Sequence, residues 1–407
     1  MKNEAARVED AQALSVMPST LQQRLAQALA QLPAAGRRRL MPYEAVSAAR
    51  VCQGGYWLLN FAGNDYLGLA GHPALAAAAA RWAQDYGTGM GASRLLTGTL
   101  EACERLEARL AVLKGTEAAL ILPGGFQANA TVLAALLAAA GATPLVYSDR
   151  LNHASMHFGL AAGGVRQIRF RHNDLDHLQD LLRRDAARPG ARLIVSESVF
   201  SMDGDRADIA GLVALAERYG AFLYIDEAHA TGVFGPGGAG LCHGYGRRID
   251  LLMGTFGKAL GGFGAFVACS RMVRDYLINR CAGLIYATAL PPPVLGAIAA
   301  ALDLLPELDE ERRRLVAHGD RLRQRLQAAG YDTLASTTQI IPVVLGEEQA
   351  VLDAAARLRE QGLLVAAIRP PTVARGSSRL RISLSAAHTA AEVDALADAL
   401  VALAERP

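Results

Sequence analysis

From Ala118 onward, short uninterrupted apolar runs alternate with segments whose apolar residues recur every three or four positions. The runs lie at Ala118–Leu122, Pro144–Tyr147, Val165–Phe170, Arg192–Ser196, Ala221–Ile225, Leu251–Thr255 and Gly264–Cys269. Each is too short for a helix and is bounded by glycine, proline or polar residues, as strands buried on both faces are. Helical periodicity fills most of the gaps, at Phe126–Ala139, Ala154–Ala162, Leu175–Ala186 and Ile209–Tyr219. This alternation predicts an α/β fold with a mostly parallel seven-stranded sheet covered on both faces. Ligands of such sheets gather at the carboxyl ends of the strands.

The flanking segments read differently. Leu21 to Leu32 has helical periodicity that Pro33 is expected to break, and Arg37-Arg38-Arg39 follows. Trp57–Phe61 predicts a short strand running into the turn-rich segment Asn64–Gly68. The glycine-rich stretch Gly87–Gly98 sits between two helical patterns with no strand before it, so it is a loop and not a dinucleotide-binding turn. Beyond Pro291-Pro292-Pro293 come helical patterns at Val294–Leu305, Glu310–Ala329, Glu348–Gln361 and Ala390–Ala404. Short strands fall at Gln339–Leu345, Leu363–Ala366 and Arg379–Leu384. The expected organisation is an amino-terminal arm over 1–60, a large α/β domain over 61–295 and a smaller α+β domain over 296–407.

Composition narrows the function classes. With 52% hydrophobic residues the chain has ample surface to bury, and a net charge of +2 gives no long-range attraction for nucleic acid or anionic lipid. Five dispersed cysteines show no metal-ligand spacing and suit free thiols in a reducing compartment. Residues 1–10 carry charges and no apolar core, so the expectation is a cytoplasmic protein without a secretory leader.

The candidate chemistry lies at strand ends. Thr255-Phe256-Gly257-Lys258 puts a lysine among small residues just past a buried strand, where its ammonium must be solvated, paired or made neutral. A desolvated lysine is a nucleophile for aldehydes. Asp226, ending another buried strand, requires a cation nearby. An acid there also suits a nucleotide hydrolase, but no GxxxxGK[ST] is present. Gly124-Gly125-Phe126 opens a helix, either as a plain turn or as an anion site. His153 and Ser201 follow two further strands, His229 follows the one that Asp226 ends, and Asp203 and Asp205 are explained by a capped turn.

Taken with Asn64–Gly68, Gly89–Gly98, Ser198–Asp205, Asp226–Gly232, Thr255–Gly261, Ile285–Pro292 and Ala367–Leu384, this order resembles the α-oxoamine synthases. That family belongs to the fold-type I pyridoxal-phosphate enzymes. The resemblance implies that Lys258 binds pyridoxal 5'-phosphate as a Schiff base and that Asp226 pairs with its pyridinium. His229 and Ser201 would hydrogen-bond the phenolic oxygen and His153 would stack on the ring. Gly125, Phe126 and Thr255 would hold the phosphate, with Thr288 supplied by the partner subunit of a homodimer. Arg381 would clamp the amino-acid carboxylate, while Asn64, Thr372 and Arg37 would contact substrate. No metal is implied. The implied reaction is a decarboxylative condensation of L-alanine with an acyl thioester on coenzyme A or a carrier protein. Glycine with acetyl-CoA, a longer acyl donor, or a catalytically silent domain of the same fold are the alternatives. The chain has Glu227 where many of the oxononanoate-forming members have a second aspartate. Cys103 stands where histidine is frequent, and Met90 interrupts the small-residue loop.

Overall fold

The computed structural model describes residues 19–34, 45–47 and 49–404. The amino-terminal helix, Thr20–Ala34, extends through Pro33 instead of ending before it. Its start is fixed by a reciprocal cap: Gln22 N–H donates to Ser19 Oγ (3.2 Å), and Ser19 N–H donates to Gln22 Oε1 (2.6 Å). Leu21, Leu25 and Leu29 form an exposed apolar stripe on it.

The remaining chain begins with β1 (Ala45–Ser47), β2 (Arg50–Gln53) and β3 (Tyr56–Asn60), an antiparallel meander that the sequence pattern showed only at its last strand. Seven strands then build the main sheet: β4 (Ala118–Leu122), β5 (Leu145–Asp149), β6 (Gln167–Phe170), β7 (Arg192–Glu197), β8 (Ala221–Asp226), β9 (Leu251–Thr255) and β10 (Ala265–Cys269). Their order is β4-β10-β9-β8-β7-β5-β6. The sheet is parallel except for β10, which runs antiparallel to both β4 and β9. Every residue of β4, β5, β9 and β10 is buried, because helices cover both faces and leave no solvent side for a polar alternation.

The crossover helices match the periodic segments closely, Ala154–Ala162 and Ile209–Tyr219 residue for residue. Their starts are set by capping side chains. Asp208 accepts from Gly211 N–H (3.0 Å), and Asp174 accepts from His177 N–H (2.7 Å).

The carboxyl-terminal part holds β11 (Ile340–Gly346), β12 (Leu363–Leu364), β13 (Ala366–Ile368) and β14 (Ser378–Ser383). One apolar run, Leu363–Ala366, was expected to be a single strand. It is two: β12 pairs in parallel with β3, while β13 pairs with β14 in the three-stranded sheet β11-β14-β13. Val365 lies between them, so the run crosses from one sheet to the other. Residues 45–60 are thereby stitched to the carboxyl-terminal region. Among the described residues no helix is long and apolar enough to cross a membrane.

Candidate active site

β7, β8 and β9 end side by side, with Glu197 in register with Asp226 and Asp226 with Met253. Lys258 lies three residues past β9, half-buried. Its Nζ is 2.9 Å from His229 Nε2. Burial lowers its pKa to about 8, with Arg381 pushing the same way and the carboxylates of Asp226 and Glu197 opposing. A lysine in this setting has a substantial neutral fraction near physiological pH, as an aldehyde-directed nucleophile requires.

Asp226 is 5% exposed, and its two oxygens accept only from neutral donors: Ala228 N–H (2.8 Å) and Asn129 Nδ2 (2.8 Å). Asn129 is itself held by Tyr224 Oη, which donates to its Oδ1 at 2.6 Å, and its Nδ2 also donates to Ser155 Oγ (2.9 Å). The acid is therefore rigidly aimed, and among the described residues no cation hydrogen-bonds to it. Beside it, Glu197 is fully buried; desolvation, reinforced by Asp226, holds its carboxyl well above the usual range. It accepts from the His153 backbone N–H. The His153 ring is anchored through Nδ1 to Ser155 Oγ (2.7 Å) while the residue stays exposed. Desolvation lowers its pKa, Lys258 adds to that, and Asp226 opposes it.

Two charged ends flank this centre. The helix Gly125–Ala139 has no side-chain cap at Gly124, and a Cβ on Gly124 would meet nothing within 4 Å. Its first N–H groups and the positive end of its dipole are open to an anion. Thr255 borders the same spot: a Cβ on Gly125 would lie 3.9 Å from Thr255 Oγ1. Phe126 is exposed there. At the other end, Arg381 is 5% exposed and donates to three neutral oxygens: Ser201 O, Ser383 Oγ (2.8 Å) and Asn64 Oδ1 (3.1 Å). Among the described residues no carboxylate pairs with it, so its charge is available to an incoming anion. An amine, a buried acid short of a cation and an uncapped helix start fit the aldehyde, ring nitrogen and phosphate of pyridoxal phosphate.

The structure thus gathers Lys258, Asp226, His229, His153, Arg381, Asn64 and Ser201 around one set of strand ends. It does not bring every candidate there. Thr288 is exposed and bridges to Ser93 in the glycine-rich loop. Thr372 is exposed on the turn after β13. Arg37 lies outside the described residues.

Three site residues escaped sequence reasoning, Tyr66, whose Oη is 2.6 Å from His229 Nδ1, Gln339, which donates to the His229 carbonyl at 3.0 Å, and Asn129, and a fourth, Glu197, was given no role. The first three are neutral side chains with no periodic signal; Glu197 was visible as a strand-end acid.

Two acidic readings need correction. Asp205 and Asp149 sandwich His172 (2.8 and 3.0 Å) instead of merely capping a turn. Burial disfavours the imidazolium there, yet the hydrogen bonds to both acids win and raise its pKa to about 10. Asp203 pairs with Arg379. Glu227 turns away from the site and forms a buried ion pair with Lys114 (2.9 Å), which also donates to Thr231 Oγ1 and the Ala239 carbonyl.

Comparison with known proteins agrees with this geometry. The profile of the class I and II aminotransferases matches residues 57–400. A Bordetella bronchiseptica protein provisionally named 8-amino-7-oxononanoate synthase is 60% identical over 368 residues, covering 90% of this chain and 92% of that one. The 8-amino-7-oxononanoate synthase of Gluconacetobacter diazotrophicus is 57% identical, covering 89% and 92%. Among solved structures, a serine palmitoyltransferase from S. paucimobilis with a bound PLP–myriocin aldimine superposes with a TM-score of 0.87 at 29% identity, covering 96% and 99%. The 8-amino-7-oxononanoate synthase of Francisella tularensis gives a TM-score of 0.74 at 25% identity, covering 86% and 98%.

Proposed function

The chain belongs to the α-oxoamine synthase family of pyridoxal-phosphate enzymes, within the class I and II aminotransferases, and from that premise we propose that it is an 8-amino-7-oxononanoate synthase. The proposed reaction joins L-alanine to a pimeloyl thioester, carried by coenzyme A or a carrier protein, as a step of biotin formation. The acyl carbon bonds to alanine Cα; the thiol leaves, then the alanine carboxylate departs as CO2. The observation carrying this reading is the Arg381 guanidinium, buried with only neutral partners, facing the same strand ends as the depressed-pKa Lys258.

Bound at Lys258, pyridoxal phosphate supplies the electron sink for the alanine carbanion. The chain's residues do the rest. Arg381 receives the alanine carboxylate in a charge-assisted pair, with Asn64 and Ser201 fixing the guanidinium plane. The Lys258 amine, neutral in part because burial lowers its pKa, would accept the Cα proton at Nζ. Asp226 offers a rigid buried anion that would pair with a cationic ring nitrogen, and His153 and His229 would contact the ring. Gly125, Phe126 and Thr255 would hold the phosphate, and Thr288 of the partner subunit would complete the cradle in a homodimer. Such pre-aimed dipoles need no reorganisation as charge develops.

The family resemblance assigns Thr372 in Ala367–Val373 and Arg37 to substrate contact. The identities to named oxononanoate synthases support this choice over sister reactions. One observation favours an alternative: the serine palmitoyltransferase structure superposes better than the Francisella synthase. A panel of acyl-CoA and acyl carrier protein donors with alanine, glycine and serine, read by CO2 release, decides between them. Highest turnover with alanine and a pimeloyl thioester supports the proposal; highest turnover with serine and a long-chain donor, or glycine and acetyl-CoA, overturns it.

A further inference from the structure

Two loops of the site meet on the ring of His172, which lies between β6 and the helix Leu175–Arg184. Its Nδ1 is 3.0 and 3.2 Å from the two carboxylate oxygens of Asp149, the last residue of β5, whose following loop carries His153. Its Nε2 is 2.8 Å from Oδ2 of Asp205, in the turn that carries Ser201. The ring also meets Phe200, the residue before Ser201, edge-on with 4.4 Å between centroids.

Carboxylate oxygens only accept, so each ring nitrogen needs its own proton unless one of the acids holds it instead. Neither acid has a place for it. Both oxygens of Asp149 already accept backbone N–H groups, Oδ1 from Leu151 (2.8 Å) and Oδ2 from Asn173 (2.9 Å). Asp205 Oδ2 accepts from Asn173 Nδ2, and among the described residues Oδ1 has no partner to which a proton there could be donated. The ring is therefore doubly protonated and holds two anions at once. The third acid beside it, Asp203, is paired with Arg379 of β14.

Between this clasp and the substrate clamp the turn is stiff. Phe200 N–H donates to the Asp205 carbonyl (3.1 Å), and Gly204 N–H donates to the Phe200 carbonyl (2.9 Å). Val199 and Arg206 close its base as an antiparallel bridge. The Ser201 carbonyl then accepts from Arg381 Nε–H. Nε is the donor nearest the side-chain stem, so the position of its acceptor sets the plane of the rigid guanidinium fork. We propose that His172 is a positioning residue for the substrate clamp: by bridging Asp149 and Asp205 it fixes the Ser201 turn and, through the Ser201 carbonyl, the guanidinium of Arg381. This deepens the proposed function and rests on its reading of Arg381 as the partner of the amino-acid carboxylate.

The test titrates the cofactor-loaded enzyme, without acyl donor, with L-alanine and with L-alaninamide, whose neutral amide cannot form the charged pair. Binding is read from the change in cofactor absorbance. Wild type is expected to prefer alanine. In His172→Gln one amide nitrogen cannot span both acids, so alanine should bind about tenfold more weakly while alaninamide stays within about a factor of two. A merely structural role would weaken both ligands. Equal losses, a larger loss for the amide, or no loss overturns the inference. Should His172→Gln not fold, Asp205→Asn is read the same way. Nitrogen-15 NMR of wild type labelled at histidine, at pH 8 and before cofactor is added, checks the clasp itself. An ordinary histidine is neutral there, and one ring with both nitrogens protonated is expected; its absence overturns the inference. A wild type that binds both ligands equally rejects the carboxylate reading of Arg381 before any substitution is made, which separates that failure from a failure of His172.

Discussion

The reactivity of this site rests first on single side chains whose surroundings change their chemistry. Lys258 is a base whose pKa burial depresses to about 8, so its neutral fraction rises through that pH and not through the ordinary lysine range. At pH 7.5 roughly a quarter of it is neutral, against about a thousandth for an unperturbed lysine of pKa about 10.4. The rate of Schiff-base formation between the cofactor-free protein and an aldehyde should therefore climb to half its plateau near pH 8. A midpoint above pH 10 would mean that the burial does not perturb the amine. Arg381 gives a second expectation at this scale. Removing a guanidinium that clamps a carboxylate through two charged hydrogen bonds should cut kcat/KM for the amino acid on the order of 100-fold or more. Steady-state kinetics of Arg381→Ala checks this; a change confined to the acyl donor's KM would place the arginine elsewhere.

At the scale of elements, the strands and their turns hold these side chains in place. Gly204 is an example, with φ of 69° in the turn that carries Ser201. A Cβ there would lie 1.9 Å from the Ile340 carbonyl oxygen of β11. Its own carbonyl accepts from Thr337 N–H (3.1 Å) and Thr338 Oγ1 (2.8 Å). Gly204→Ala must add left-handed strain to that clash, for a loss of at least about 2 kcal/mol. Urea unfolding should show a lowered midpoint, and activity should fall with it, because the turn also presents Ser201 O to Arg381. An unchanged midpoint would mean the turn is not pinned against β11.

Legibility in the sequence follows the same physics. Six of the seven central strands could be read because burial on both faces makes them continuous apolar runs; the edge strand β6 is buried only at Phe170 and its start reads two residues early, at Val165. β3, read as Trp57–Phe61, stood out by its apolar run, whereas β2 is four residues long with Arg50 exposed and so blurs into the flanking loops. Leu363–Ala366 looked like one strand because apolar pattern does not record a change of sheet. Ionisable site residues stood out at buried strand ends, where burial makes them costly. Tyr66, Asn129 and Gln339, neutral and able to serve in any core, did not.

At the scale of the whole molecule, the proposal of shared sites has its own consequence. Thr288 sits on an exposed segment bridged to the glycine-rich loop, as a residue offered to a partner subunit would be. Chains carrying Lys258→Ala and chains carrying Thr288→Asp should each be inactive alone. After mixing and subunit exchange, each hybrid dimer holds one site with both defects and one with neither, and roughly a quarter of wild-type sites should return. No recovery after proven exchange would place Thr288 in its own chain's site or outside any site.

The central claim is that the ε-amine of Lys258 forms the bond to the cofactor. The chain has three lysines: Lys2, Lys114 and Lys258. Borohydride reduction of the pyridoxal-phosphate-loaded enzyme, followed by digestion and mass spectrometry, reads the attachment site directly. The account predicts one phosphopyridoxyl adduct, on the peptide containing Lys258, and none in Lys258→Ala. An adduct on Lys114 or Lys2 in its place, or one that survives the substitution, would contradict it.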